Sequence, residues 1–119
     1  MGRVALVGLV PSVAEVVVAA LADEGHEVTQ YSLDADIIRR LGRDRPSVVL
    51  FDGHAYANTK AFLSDLRRHP ETKGLPVVLV GPERPAEVPN FEVVHQLGRA
   101  FDLNAVLAAV RRALGQLGD

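Results

Sequence analysis

The chain has 119 residues, 48% of them hydrophobic and 24% charged, with a formal net charge of −2. That is material for one domain with one core, and the charge balance supplies no basic surplus for nucleic acid or an anionic membrane. Cysteine is absent, which excludes disulfides, thiol catalysis and cysteine-ligated metals and fits a reducing cytoplasm, the expected location.

The N-terminal stretch is apolar but interrupted by Pro11, Glu15 and Asp23. No unbroken run of about 20 apolar residues exists for a membrane helix, and the segment does not read as a signal peptide. RVALVGL (3–9) reads instead as a strand buried on both faces. In PSVAEVVVAALADEG, Ser12 with Glu15 makes a capping box, and Val13, Val16, Val17, Ala20 and Leu21 fall at helical spacing before Gly25 stops the helix. HEVTQYS (26–32) alternates, as for a second strand nearer an edge. Ser32 or Asp34 caps a second helix through Ile37, Ile38 and Leu41, closed by Gly42. SVVLF is a third buried strand ending at Asp52, and GHAYANT is a loop. KAFLSDLRRH is a helix with Phe62, Leu63 and Leu66 inward, closed by Pro70. LPVVLVG and EVVHQL (92–97) are the fourth and fifth strands. FDLNAVLAAVRRALGQL is the last helix, capped by Asp102, with Leu103, Val106, Leu107, Val110 and Leu114 along one face.

Strands alternating with helices, and apolar throughout rather than alternating, imply an α/β domain: a doubly wound, five-stranded parallel sheet covered on both sides. The flavodoxin-like order 2-1-3-4-5 suits five strands. It puts a switch point between the first and third, so a site is expected at their carboxyl ends, near Gly8, Leu9 and Asp52. GPERPAEVPNF (81–91) breaks the rhythm with Pro82, Pro85 and Pro89. A long helix is incompatible with three prolines, so the fourth crossover helix is expected to be shortened or missing.

In order of elements and in several phrases the whole chain resembles a receiver domain, the phosphoacceptor module of bacterial response regulators. SVVLFD resembles the strand that ends in that family's phosphorylated aspartate. LRRHPETKGLPVVLVG and FDLNAVLAAVRRAL resemble the elements that follow it. The resemblance implies a two-component signalling role and marks Asp52 as candidate phosphoacceptor. It also shows what has changed. Receivers hold Mg²⁺ with an acidic pair after the first strand, where this chain has Gly8 and Leu9. They end the fourth strand in Thr or Ser, where this chain has Gly81. They place a lysine after the fifth, where Arg99 is the candidate substitute, and often an aromatic within it, where His95 or Gln96 stands. The resemblance therefore implies a degenerate receiver, a pseudo-receiver that acts as a protein-interaction module without conventional aspartyl phosphorylation.

Other signals are weaker. DGHAYA is similar to the D-x-H-x-x-G motif of cobalamin-binding domains, but Ala57 replaces its glycine and the motif follows the wrong strand, so His54 reads as a loop histidine. His26, His54, His69 and His95 are scattered without metal-ligand spacing and read as solvated surface groups. No phosphate-cradling glycine motif and no nucleophile elbow is present. The arginines at 39, 40, 43 and 45, with Arg67, Arg68, Lys73, Arg111 and Arg112, suit helix carboxyl termini. An outward Val18, or outward neighbouring alanines, would give the first helix a small apolar surface for a partner or a second copy; the plainer reading is a tightly packed helix.

The expectation is a non-enzymatic domain with no cofactor, no metal site and no nucleic-acid or membrane partner, binding one or more signalling proteins. A homodimer is a further candidate assembly. Asp52, His54, Gly81, His95 and Arg99 are the candidate binding residues. The partner surface is expected along the proline-rich 82–89 loop, the fifth strand and the last helix. Two alternatives are an active, atypical receiver using Asp52 and Arg99, and a small-ligand binder in a crevice opened by Gly8, Gly53 and Gly81.

Overall fold

The computed structural model describes residues 2–9, 11–32, 34–52, 59–80, 94–97 and 103–118, with the backbone alone at 52, 59–60, 94–97 and 116–118. The elements run β1 (Arg3–Val7), α1 (Pro11–Asp23), β2 (Glu27–Tyr31), α2 (Ile37–Asp44), β3 (Val48–Asp52), α3 (Thr59–Arg68), β4 (Val77–Val80), β5 (Val94–Leu97) and α4 (Leu103–Gly118). The strands form one sheet in the order β2-β1-β3-β4-β5, every pairing parallel.

Because strand side chains alternate, each apolar run feeds both faces. Val4 and Leu6 of β1, Val48 and Leu50 of β3, and Val78 and Val80 of β4 pack with Ala14, Val17 and Leu21 of α1 and Val106, Ala109, Val110 and Ala113 of α4. Ala5, Val7, Val49, Phe51, Val77 and Leu79 pack on the other face with Ile37 and Leu41 of α2 and Phe62, Leu63 and Leu66 of α3. Among the described residues β2 pairs only with β1, and its Glu27, Thr29 and Gln30 are exposed, as suits an edge strand. Among the described residues, no helix is long and apolar enough to cross a membrane.

Several local expectations change. α1 begins at Pro11, so Ser12 lies inside the first turn rather than capping it. Proline suits that first position because its missing N–H would have no helical partner there. The buried stripe of α1 is Ala14, Val17 and Leu21, while Val16 is 50% exposed. Val18 is half-buried against the core, so the outward valine is Val16. With valines on several sides of the helix, spacing alone did not choose between these stripes.

The stop at Gly25 takes the expected form. Gly25 has φ +90°, its N–H donates to the Ala22 carbonyl, and the His26 N–H donates to the Leu21 carbonyl at 3.1 Å. This is the Schellman arrangement, for which glycine is the unstrained residue.

Gly42 does not close α2. It is buried within the helix, where an added Cβ would lie 2.9 Å from Glu71 Cβ. The glycine serves close approach of α2 to the turn after α3. Arg45 takes the left-handed position instead, at φ 48°, and its N–H reaches the Leu41 carbonyl. Asp34 acts one turn before the helix, accepting the Asp36 N–H and the Arg40 guanidinium. The fourth crossover and Asp102 lie outside the described residues.

Candidate functional site

In the order β2-β1-β3-β4-β5 the chain leaves β1 toward one edge and β3 toward the other, so the switch point falls between β1 and β3. Register aligns the strand ends: Val7 pairs with Phe51, Asp52 with Val80, and Val80 with Leu97. The candidate site is therefore the carboxyl edge formed by Gly8 and Leu9 after β1 and Asp52 at the end of β3.

Gly8 has φ +79°, in the left-handed region where a side chain is strained. Leu9 turns back and packs, half-buried, against the core beneath α1 and α4. These two positions bring no side-chain oxygen to the edge. Asp52 is placed there by its backbone. His95 lies on β5 opposite Val78, two positions before the strand end, also by its backbone. His54, Gly81 and Arg99 lie outside the described residues, as does the 82–89 loop. Of the candidate binding residues, the structure thus places Asp52 and His95, on strands separated by β4. Among the described residues, no group of three His, Cys, Asp or Glu side chains could hold a metal ion.

The arginine clusters are largely neutralised. Arg39 pairs with Asp36 at 3.1 Å, Arg40 with Asp34 at 2.7 Å, Arg43 with Asp44 at 3.0 Å and Arg68 with Asp65 at 3.5 Å. Arg40 also lies over the Tyr31 ring and donates to the Ser32 carbonyl, pinning the loop between β2 and α2. The Tyr31 hydroxyl donates to Asp44 at 2.7 Å. Burial, with the Asp44 carboxylate adding to it, pushes that phenol up to about 12. Hydrogen bonds from Arg43 and Tyr31 hold the Asp44 carboxyl below its ordinary range.

At the opposite, amino edge lies a polar group that sequence reading missed. His26 is not a solvated surface histidine: its side chain is only 6% exposed, and its Nδ1 accepts the Gly2 N–H at 3.1 Å. Its Nε2 stands 3.8 Å from a Glu24 carboxylate that Arg111 of α4 grips at 2.5 Å. That grip, first by hydrogen bonding, holds the Glu24 carboxyl below its ordinary range. Ser47 accepts the Arg3 N–H and is likewise structural. The available signal was position: a histidine directly after the left-handed glycine of a Schellman turn is carried back toward the sheet.

No family model and no curated protein matches this sequence. Solved structures do match. A response regulator from Desulfuromonas acetoxidans aligns over 98% of this chain and 99% of its own, at TM-score 0.77 and 16% identity. The chemotaxis response regulator CheY4 of Vibrio cholerae aligns over 96% and 99%, at TM-score 0.78 and 22% identity. The receiver domain of the sensor histidine kinase PA1611 from Pseudomonas aeruginosa, with a magnesium ion coordinated in its active-site cleft, aligns over 96% and 98%, at TM-score 0.74 and 18% identity. This chain has the receiver fold. In that fold a resident Mg²⁺ needs oxygen ligands, preferably carboxylates. The described residues after β1 do not fit it, since Gly8 and Leu9 offer backbone carbonyls alone.

Proposed function

We propose that this receiver-fold domain is a degenerate receiver: a non-enzymatic signalling module, working in the cytoplasm, that binds one or more signalling proteins without Mg²⁺-dependent phosphorylation of Asp52. The observation that carries this reading is the end of β1, where a left-handed Gly8 and a core-packed Leu9 occupy the positions that resemble the family's acidic pair. Phosphoryl transfer to a carboxylate is mostly positioning and charge neutralisation, and the metal supplies much of both. Losing several kcal/mol of that stabilisation slows the step by roughly a thousandfold or more, at about 1.4 kcal/mol per tenfold. The Gly81 that replaces the family's hydroxyl residue adds to the loss.

A binding role is supported by the sequence of the 82–89 segment, whose Pro82, Pro85 and Pro89 disfavour a long crossover helix where receivers have one of their signalling helices. Together with strand positions His95 to Arg99 and the last helix it forms the partner surface in this reading. Amide NMR spectra recorded on adding Mg²⁺, then beryllofluoride or acetyl phosphate, test it. The expected spectra are unchanged, and Asp52→Asn keeps partner binding. Shifts spreading from Asp52 that vanish in Asp52→Asn would overturn the reading in favour of an active, atypical receiver.

A further inference from the structure

We propose that His26 is a proton-operated latch on the amino edge of the sheet: its neutral ring holds the Gly2 amide, and a second ring proton releases Gly2 and commits the ring to Glu24. The inference does not depend on the reading of the Asp52 edge.

The geometry assigns the tautomer. A backbone N–H can only donate, so the Nδ1 atom 3.1 Å from the Gly2 nitrogen is an acceptor without a proton. The proton of the neutral ring is then on Nε2, the atom 3.8 Å from Glu24 Oε1. Protonation turns both ring nitrogens into donors. Nδ1–H would then confront the Gly2 N–H, donor against donor, and that bond is lost. On the other side the same proton converts a long polar approach into an ion pair. The carboxylate needed for it is in place, because Arg111 keeps Glu24 ionised through the range in which histidines change charge.

The charged groups around the ring allow the exchange without opening the core. Glu24 comes from the turn after α1 and Arg111 from α4. Arg3 of β1 and Glu27 of β2 pair with each other at 3.6 Å on the rim of an open cleft of about 600 Å³ that His26 and Ser47 also line. Gly2 matters because its carbonyl also accepts the Glu27 N–H at 2.9 Å. Freeing its amide therefore loosens the point where β1 and β2 begin to pair, while the ring tightens onto the Glu24–Arg111 tie to α4.

Histidine ring ¹⁵N and backbone amide spectra of the intact chain, recorded from pH 8 to pH 5, decide the matter. The expected result is a His26 protonated on Nε2 at pH 8, with the Gly2 and Glu27 amides shifting at the midpoint of the His26 ring. A roughly two- to tenfold loss of exchange protection at Gly2, the scale of one hydrogen bond, should accompany the shift. In His26→Gln, whose side-chain oxygen can still accept from Gly2, those pH-dependent steps vanish. A ring proton on Nδ1 at pH 8, or Gly2 and Glu27 steps that persist in His26→Gln, would overturn the proposal.

Discussion

The two faces of the sheet are filled in different ways. Under α1 and α4 the helices contribute Ala14, Ala109 and Ala113 beside Val17, Leu21, Val106 and Val110, against valines and leucines of the strands. Under α2 and α3 the filling is larger: Leu41, Leu63 and Leu66 surround Phe62, which stacks on Phe51 with ring centroids 4.3 Å apart. Interiors pack to one density, so small side chains let helices settle close to a sheet and large ones fill a wider gap. The first face has little room to accept volume, and the second has most to lose when volume is removed.

Their polar ties differ as well. The first face is closed by the exposed Arg111–Glu24 pair and the shielded His26. The second is closed by Thr72, which is fully buried and donates to the Leu66 carbonyl at 2.6 Å, and by the Tyr31–Asp44 bond.

Substitutions can break this contrast at graded strength. Phe62→Ala removes the stack and opens a cavity on the aromatic face. It should cost about 3–5 kcal/mol in chemical denaturation, and a loss below 1 kcal/mol would mean that the face collapses freely. Ala109→Leu tests the opposite vulnerability, forcing volume beneath α4, with an expected cost of about 1–3 kcal/mol. A neutral or stabilising result would show that the small-residue face holds spare room. Thr72→Val keeps the shape but leaves the Leu66 carbonyl without that donor, for a loss of about 1 kcal/mol in the same measurement.

A further set of effects is pH-dependent. Tyr31 ionises near 12 in the folded chain and near 10 when unfolded, so the folded state binds the proton more tightly. Its contribution is complete below about pH 10 and is lost as pH rises toward 12. A denaturation series across that window should show a decline that Tyr31→Phe flattens. Asp44 and Glu24 have the reverse sign, since both carboxyls are held low in the fold. Their contributions are present at neutral pH and disappear as acid protonates them, so Glu24→Gln should flatten part of the acid limb of the stability curve.

Much of the architecture was legible because it rests on local patterns. The apolar runs at Val48–Phe51 and Val77–Val80 read as strands buried on both faces and 27–31 as a strand nearer an edge, and the sheet places them so. Gly25 announced a left-handed stop, which the backbone adopts. Where several residues could serve one local purpose, reading along the chain chose wrongly. Gly42 looked like a stop but makes room for Glu71, and Arg45 takes the left-handed position. Ser12 looked like a cap, yet the helix begins at Pro11. Val16 and Ala14 could each have faced inward, and only the position of the sheet beneath α1 decides for Ala14.

The candidate site divides along the same line. That Gly8 and Leu9 carry no carboxylate is a property of the sequence, as is the retention of Asp52 at the end of an apolar strand. That Gly8 turns into the left-handed region and Leu9 folds onto the core required the packed chain, because both follow from how β1 enters α1 across the sheet. For His26 the sequence offered only its position after the Gly25 turn, and its contacts came from the tertiary structure. Its partners are Gly2, 24 residues away, and a carboxylate held by Arg111, 87 residues from Glu24. Local chemistry determined which segments are strands, helices and turns. Contacts between distant segments, which carry no periodic signature, decided which polar groups meet.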